Sequence, residues 1–270
     1  MTEPTSPTFG RPLPWFEMVL ALLGSCVVLF VLAPLVGMLL ASSLAEVSQA
    51  AVDREVTASI RLTLAAALAA TVVCSVGGVP LAWLLARKRF FGRSALMAVI
   101  DLPIIIPHSA AGIALLTVIG RQSLLGLLIG DSLVGTAAGI AVAMAFVSLP
   151  FLVNAAHEAF AAVPPRLERV ARTLGASPTR VFFTISLPMA WRGILSGMTM
   201  MWARGISEFG AVIIIAYHPM TTPVLVFQRF NDYGLHYARS AAVVLILICV
   251  TIFVVLRLLL GRRNREDRHA

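Results

Sequence analysis

The sequence is short of charged residues. Of its 270 residues only 13% are Asp, Glu, Lys or Arg, whereas soluble domains carry about 25%. Hydrophobic residues make up 59% of the chain, against about 45–50% in soluble domains. Charge this sparse would leave the surface of a soluble globule poorly solvated. The composition therefore excludes an ordinary soluble protein and predicts a polytopic membrane protein.

Cysteine and the common catalytic motifs are also scarce. The three cysteines, Cys26, Cys74 and Cys249, lie far apart inside apolar runs. This spacing indicates neither a disulfide framework nor a thiolate metal site. The chain contains no phosphate-binding glycine loop with Lys, no His-Glu-x-x-His and no G-x-S-x-G. An intramembrane enzyme would need reacting groups gathered at one depth. We therefore expect no metal, no bound cofactor and no catalysis by this chain.

Long stretches with few charges run through the sequence. A membrane-crossing helix needs about 20 mostly apolar residues, because the hydrocarbon layer is about 30 Å thick. The stretches that meet this length are 18–45, 62–86, 102–120, 132–157, 193–216 and 240–260. The sequence thus predicts an all-α membrane protein with six transmembrane helices. Its transmembrane domain spans residues 15–261, between a polar N-terminus (1–14) and a basic tail (262–270).

The basic residues indicate the orientation in the membrane. They collect at residues 87–93, at residues 166–192 and in the tail, whereas the other connections carry few of them. Since Lys and Arg accumulate in cytoplasmic loops, we expect both termini and these two loops to be cytoplasmic. The net charge of +8 does not indicate nucleic-acid binding, because these arginines are not gathered on one folded face.

The cytoplasmic loop between the fourth and fifth spans, about 158–191, predicts a helical hairpin. Pro164 and Pro165 suit a first helical turn, and Gly175 suits the left-handed residue that ends a helix. Ser177 and Pro178 then start a second short helix, which Pro188 is expected to end. The first helix carries an apolar stripe opposite its charged residues: Leu167, Val170 and Leu174 against Glu168, Arg169 and Arg172. Such a hairpin either packs under its own bundle or docks on a partner.

The same loop resembles the cytoplasmic motif of ATP-binding-cassette (ABC) importer permeases, written E-A-A-x3-G-x9-I-x-L-P. The matching positions here are Arg169, Val170, Ala171, Gly175, Ile185, Leu187 and Pro188. The spacing agrees throughout, but Arg169 and Val170 depart from the family's Glu and Ala, and Glu168 lies one position before the motif Glu. In that family the hairpin couples the membrane helices to a separate ATPase, so the resemblance assigns this role to residues 168–188.

The resemblance implies the six-helix fold of a type I ABC importer permease in the cytoplasmic membrane of a prokaryote. It also implies that ATP and Mg are bound by two partner ATPase subunits. The other expected partners are an extracytoplasmic substrate-binding protein, membrane lipid and a second copy of the chain, because one motif and six spans make half of a two-fold symmetric pore.

Three further segments narrow the resemblance. They are I-P-H-x-x-A-G-I-A-L at 106–115, S-E-F-G-A at 207–211 and P-x-T-x-P-V-L at 219–225. Together they resemble permeases of the tungstate/molybdate type, which are close to those for sulfate and thiosulfate. We therefore expect oxyanion import, with tungstate or molybdate first and sulfate, thiosulfate or another anion as the alternative. A stand-alone transporter or channel would favour inverted repeats, and no match between the two halves is evident.

Two charged residues interrupt the fifth span. Arg204 and Glu208 are i, i+4 neighbours about 11 residues into it, where ionisable groups are costly unless they face protein or water. They form either an internal ion pair that fixes helix packing or part of the anion pathway. Ser207 and His108 are further candidates for the pathway or its gate, and His108 is alternatively a hydrogen-bond partner within the kinked third span.

Overall fold

The computed structural model describes residues 15–129 and 132–266, and this part of the chain is helical without strands. The helices are α1 (Trp15–Leu40), α2 (Leu44–Val52), α3 (Arg54–Arg87), α4 (Arg93–Ile105), α5 (His108–Ile119), α6 (Leu124–Ile129), α7 (Ala137–Ala162), α8 (Pro165–Thr173), α9 (Pro178–Val181), α10 (Leu187–Ile206), α11 (Gly210–Ile215), α12 (Thr222–Tyr233) and α13 (Leu235–Glu266). A π-helical turn, Phe182–Ser186, joins α9 to α10. The predicted N-terminal segment, 1–14, and the last residues of the predicted tail, 267–270, lie outside the described residues.

Among the described residues, five helical segments are long and apolar enough to cross a membrane. They are α1, α3, α7, the segment Pro178–Ile206 and the first 21 residues of α13. The predicted third span is instead a broken pair, because α4 and α5 meet at an angle of 114°. Ile106 between them is extended, with φ −73° and ψ 142°, as expected for a residue that precedes a proline. The kink expected in this span from Pro103 and Pro107 is thus a sharp bend after Ile105, whereas Pro103 lies within α4.

The predicted fifth span, 193–216, is not one continuous helix. The helical segment begins at Pro178 and ends at Ile206, and a separate helix α11 follows. At the break the Glu208 side chain accepts a hydrogen bond from the Ala211 N–H (2.9 Å), which satisfies an amide at the start of α11. Hydropathy does not detect this break, because the residues on both sides are apolar. Arg204 therefore lies in the last turn of α10, and Glu208 lies beyond the helix.

The core forms where α3, α7 and α10 pack together. Gly193 and Gly197 on α10 allow the close approach to α7, since an added Cβ would lie 2.4 Å and 2.8 Å from the Cβ atoms of Ala159 and Ala155. Small residues in this spacing are typical of helix contacts in membranes. Helix α1, in contrast, has no buried residue in this single chain.

Helix α3 defines two ends of the bundle. Its last residue, Arg87, contacts Glu168 of the predicted hairpin, and we call this side the hairpin end. At its beginning, Asp53 and Glu55 each lie 2.9 Å from Nη2 of Arg229 on α12, and we call this side the far end. The hairpin and α12 therefore occupy opposite ends of one continuous helix.

Candidate functional site

The tip of the hairpin has the conformation that its sequence predicts. Gly175 adopts a left-handed φ of +88° directly after α8. Its N–H donates to the Arg172 carbonyl, and the N–H of Ala176 donates to the Ala171 carbonyl, both at 3.0 Å. These two bonds form a Schellman motif, which satisfies the last carbonyls of a helix. The predicted role of Gly175 in ending the first hairpin helix is confirmed.

The second half of the hairpin differs from the prediction. Ser177 caps α9 by accepting a hydrogen bond from the Arg180 N–H (3.3 Å), as expected. Pro188, however, does not end a short helix, because the chain continues through the π-helical turn into α10. In that turn the N–H of Leu187 donates to the Phe182 carbonyl, so the helix is wider just before the proline. This widening accommodates a proline ring that would clash with the preceding turn of a regular α-helix.

The apolar stripe of the hairpin faces away from the bundle. Leu167, Val170 and Leu174 are 42%, 48% and 82% exposed, and Phe183 on the π-helical turn is 60% exposed. Exposed apolar side chains grouped in this way are typical of protein interaction sites. The orientation favours the docking alternative over packing under the chain's own bundle. Among the motif positions, Arg169, Val170, Gly175 and Pro188 are exposed, while Ala171, Ile185 and Leu187 are partly buried.

Glu168, in contrast, faces the bundle. Its side chain is only 3% exposed, and Oε1 accepts hydrogen bonds from Nε of Arg87 and Oγ of Ser186, both at 2.8 Å. The Glu168 carboxylate therefore pairs with groups of its own chain and is not part of the exposed surface of the hairpin. The sequence did not indicate Arg87 or Ser186 as site residues. In the sequence, Arg87 is one of several basic residues at the end of a span and is not distinguished from them.

A second group, which we call the His108 cluster, consists of His108, Arg204, Ser207 and Glu208. Oε2 of Glu208 lies 3.0 Å from Nη2 of Arg204 and 2.7 Å from Nδ1 of His108. Nη2 of Arg204 also lies 2.9 Å from the ring nitrogens of His108, and its Nη1 donates to Oγ of Ser207 at 3.2 Å. The structure thus brings together all four residues that the sequence suggested for the pathway.

Within the cluster the carboxylate of Glu208 is buried, while its partners Arg204 and His108 are partly exposed. The Glu208 side chain is 1% exposed, whereas those of Arg204 and His108 are 25% and 34% exposed. The accessible face is therefore rich in hydrogen-bond donors, and the buried carboxylate offsets the positive charge of Arg204. Such a face can attract an anion without holding it firmly. Among the residues that the structure describes, His, Cys, Asp and Glu form no group of three or more that could hold a metal ion.

Two glycines allow α5 and α11 to approach closely beside this cluster. A Cβ at Gly210 would lie 2.7 Å from Cβ of His108, and one at Gly112 would lie 2.9 Å from Cβ of Ile214 and 3.0 Å from the backbone of Ala211. Backbones this close leave no room for a methyl group. The position of His108 relative to Glu208 therefore depends on these two glycines.

We expect Gly112→Ala to destabilise the protein by about 1–3 kcal/mol, because the new methyl group overpacks the contact with Ile214. Thermal unfolding of the purified protein in detergent measures this effect as a lower midpoint. Gly77→Ala is the matched control, since Gly77 is also helical but has no atom within 4 Å of an added Cβ. Equal midpoints for both variants would contradict the close packing of α5 and α11.

Comparison with known proteins gives relatives that match this chain over most of their length. A molybdate/tungstate transport system permease protein from Thermococcus kodakarensis is 44% identical over 246 residues, covering 90% of this chain and 96% of the relative. One from Methanocaldococcus jannaschii is 38% identical over 250 residues, covering 93% and 99%. A sulfate transport system permease protein from Salmonella typhimurium is 32% identical over 266 residues, covering 95% and 96%.

Solved structures share the fold at low sequence identity. A bacterial ABC transporter involved in the import of alginate matches with a TM-score of 0.69 and 15% identity, covering 93% of this chain and 96% of that chain. The MetNI methionine ABC transporter matches with a TM-score of 0.61 and 17% identity, covering 78% and 95%. Residues 78–266 match the family described as binding-protein-dependent transport system inner membrane component. The chain therefore belongs to that family, as a permease subunit of an ABC importer with the type I fold.

Proposed function

We propose that this permease imports molybdate or tungstate. The observation that carries the proposal is the order of identities among relatives of full length. Two permeases named for molybdate/tungstate are 44% and 38% identical, whereas one named for sulfate is 32% identical. Both groups of substrates are tetrahedral oxyanions, so sulfate is the second candidate.

The proposed partners follow from the family and from the two ends of the bundle. Two ATPase subunits, which hold ATP and Mg²⁺, dock on the exposed apolar stripe of the hairpins. A substrate-binding protein docks at the far end, and a second copy of the chain completes the pore within the lipid membrane. The basic residues near the hairpin support a cytoplasmic hairpin end, and both termini then lie in the cytoplasm.

In the proposed cycle, the binding protein delivers the anion to the far end. ATP closes the two ATPases, the hairpins move with them, and a cavity between the third and fifth spans opens toward the binding protein. Hydrolysis returns this cavity to the inward-facing state. In this cycle the anion passes the His108 cluster on its way across the membrane. Its arginine and histidine offer donors, while Glu208 prevents the tight binding that an unopposed arginine would give.

Uptake into vesicles that contain the complete complex tests this function. With the cognate binding protein and ATP, we expect molybdate and tungstate uptake to exceed sulfate uptake by about tenfold or more, a difference of about 1.4 kcal/mol in selectivity. Calorimetry of the binding protein with the three anions identifies where that selectivity resides. Sulfate uptake equal to or above the other two would favour the sulfate alternative, and uptake without a functional ATPase would contradict an importer of this kind.

A further inference from the structure

At the hairpin end, Arg87 connects α3 directly to the segment that enters the hairpin. The Arg87 side chain is 9% exposed, and its Nε donates to Oε1 of Glu168 on α8 at 2.8 Å. Its Nη2 donates to the carbonyl of Val163, which precedes α8, at 2.9 Å. Ser186, in the π-helical turn that follows the hairpin tip, donates to the same Glu168 oxygen at 2.8 Å. The segments that enter and leave the hairpin are therefore tied to the last residue of α3.

At the far end, the same helix is tied to α12. The N–H of Thr222, at the start of α12, donates to Oγ1 of Thr63 at 2.9 Å, and both side chains are fully buried. Arg229 adds ion pairs of 2.9 Å to Asp53 and Glu55. Burial raises the pKa of Asp53, but hydrogen bonds from Arg229 and from two backbone N–H groups bring it below its ordinary value. The carboxylate is therefore charged at neutral pH and available to the ion pair.

Between these ends, α3 passes the last turns of α10. Nε1 of Trp202 donates to the carbonyl of Leu64 at 3.2 Å. A Cβ added at Gly205 would lie 3.3 Å from Cβ of Ala67, so the two helices approach closely there. Arg204 of the His108 cluster lies next to this contact. Helix α3 thus contacts the hairpin at one end, α10 near the His108 cluster, and α12 at the far end.

Helix α3 is continuous and is supported by the packing of α7, so it can move as a rigid unit. Its 34 residues form a single helix, about 50 Å long at 1.5 Å per residue. Gly78 and Pro80 would weaken an isolated helix at this point. There α7 supports it, since a Cβ at Gly78 would meet Leu152 at 3.4 Å and Val153 at 3.6 Å. This packing opposes bending of α3 at the place where its own sequence would favour it.

We infer that α3 carries the movement of the hairpin to α12 and the far end, with Arg87 as the positioning residue that links hairpin and helix. This inference rests on the proposed function, in which the hairpin receives the ATPase movement. Because the Glu168 side chain is buried and that of Arg87 is only 9% exposed, separating them would leave an unpaired charge in a poorly solvated site. The hairpin therefore moves α3 with it, in addition to the covalent route through α10.

The test measures anions transported per ATP hydrolysed by the complete complex in vesicles. Arg87→Lys retains the charge but lacks the planar fork that reaches Glu168 and Val163 together, and Arg87→Gln removes the charge. We expect both variants to hydrolyse ATP while the transport ratio falls, by about tenfold for Arg87→Gln. Arg89→Gln is the matched control, because it removes an exposed charge two residues away and should leave the ratio unchanged.

Thr63→Val tests the far end of the same link. It should also lower the ratio, and the double variant Arg87→Lys with Thr63→Val should be no worse than the more impaired single variant, because both changes interrupt one route. If Arg87→Gln does not assemble, Arg87→Lys and Thr63→Val decide the outcome. A wild-type ratio in assembled Arg87→Lys, or independent losses that multiply in the double variant, would overturn the inference. Absence of ATP-dependent uptake by the wild-type complex would instead contradict the proposed function.

Discussion

Gly175→Val should abolish anion transport while the protein still inserts into the membrane and assembles. Gly175 has a φ of +88°, and a β-branched residue in this region is a strained outlier. The variant must abandon the turn that joins α8 to α9, so the apolar stripe loses its fixed direction toward the partner. Uptake in vesicles and the ATPase rate of the complex measure the effect.

Two comparisons separate this effect from general strain. Gly175→Asn should retain much of the uptake, because Asn tolerates the left-handed region better than other residues with a side chain. Gly92→Val places the same strain at a φ of +85° in the loop between α3 and α4, outside the hairpin, and should transport far better than Gly175→Val. Normal uptake with a normal ATPase rate in Gly175→Val would contradict the role of the hairpin in coupling.

Glu208→Gln should slow transport more than the double variant Arg204→Ala with Glu208→Gln. The single change leaves the guanidinium of Arg204 without its buried carboxylate. Breaking such a pair from one side is destabilising, because the remaining charge is uncompensated, and the 25% exposure of the Arg204 side chain reduces this cost. An unopposed arginine would also bind an anion more firmly and release it slowly. We expect uptake to fall by about tenfold or more in the single variant and to recover partly in the double variant.

The control for this experiment is Glu158→Gln, since the Glu158 side chain is 80% exposed and its loss should not affect uptake. Thermal unfolding of each variant separates lost stability from slowed passage of the anion. Equal uptake for wild type and Glu208→Gln would indicate that the cluster only fixes helix packing.

Local sequence patterns were sufficient for the fold class and for the tip of the hairpin. Runs of apolar residues determine which segments can lie in lipid, because each unpaired backbone group there is costly. The turn at Gly175 could be predicted as well, since a glycine that follows a helix commonly adopts the left-handed conformation. These features depend on residues that are neighbours in the chain.

The departures depend on contacts between distant residues. Arg87 and Glu168 are 81 positions apart, and His108 and Glu208 are 100 positions apart, so no local pattern joins them. The break after Ile206 is different, because the hydrogen bond found there is local: the Glu208 side chain accepts from the Ala211 N–H three residues later. Hydropathy describes how well a segment suits lipid, but it carries no information about where a helix is interrupted inside an apolar stretch.

The π-helical turn at Phe182–Ser186 sets the rotation of α10 about its own axis. Each residue of an α-helix advances the side chains by about 100°, since a turn contains 3.6 residues. A π turn accommodates one additional residue, so it changes which face of the following helix points toward α5. If the same residues formed a regular α-helix there, the composition and hydropathy of the span would be unchanged. The residues that follow would nevertheless be displaced by about 100° around the helix axis, and the face that carries Arg204 would turn away from His108.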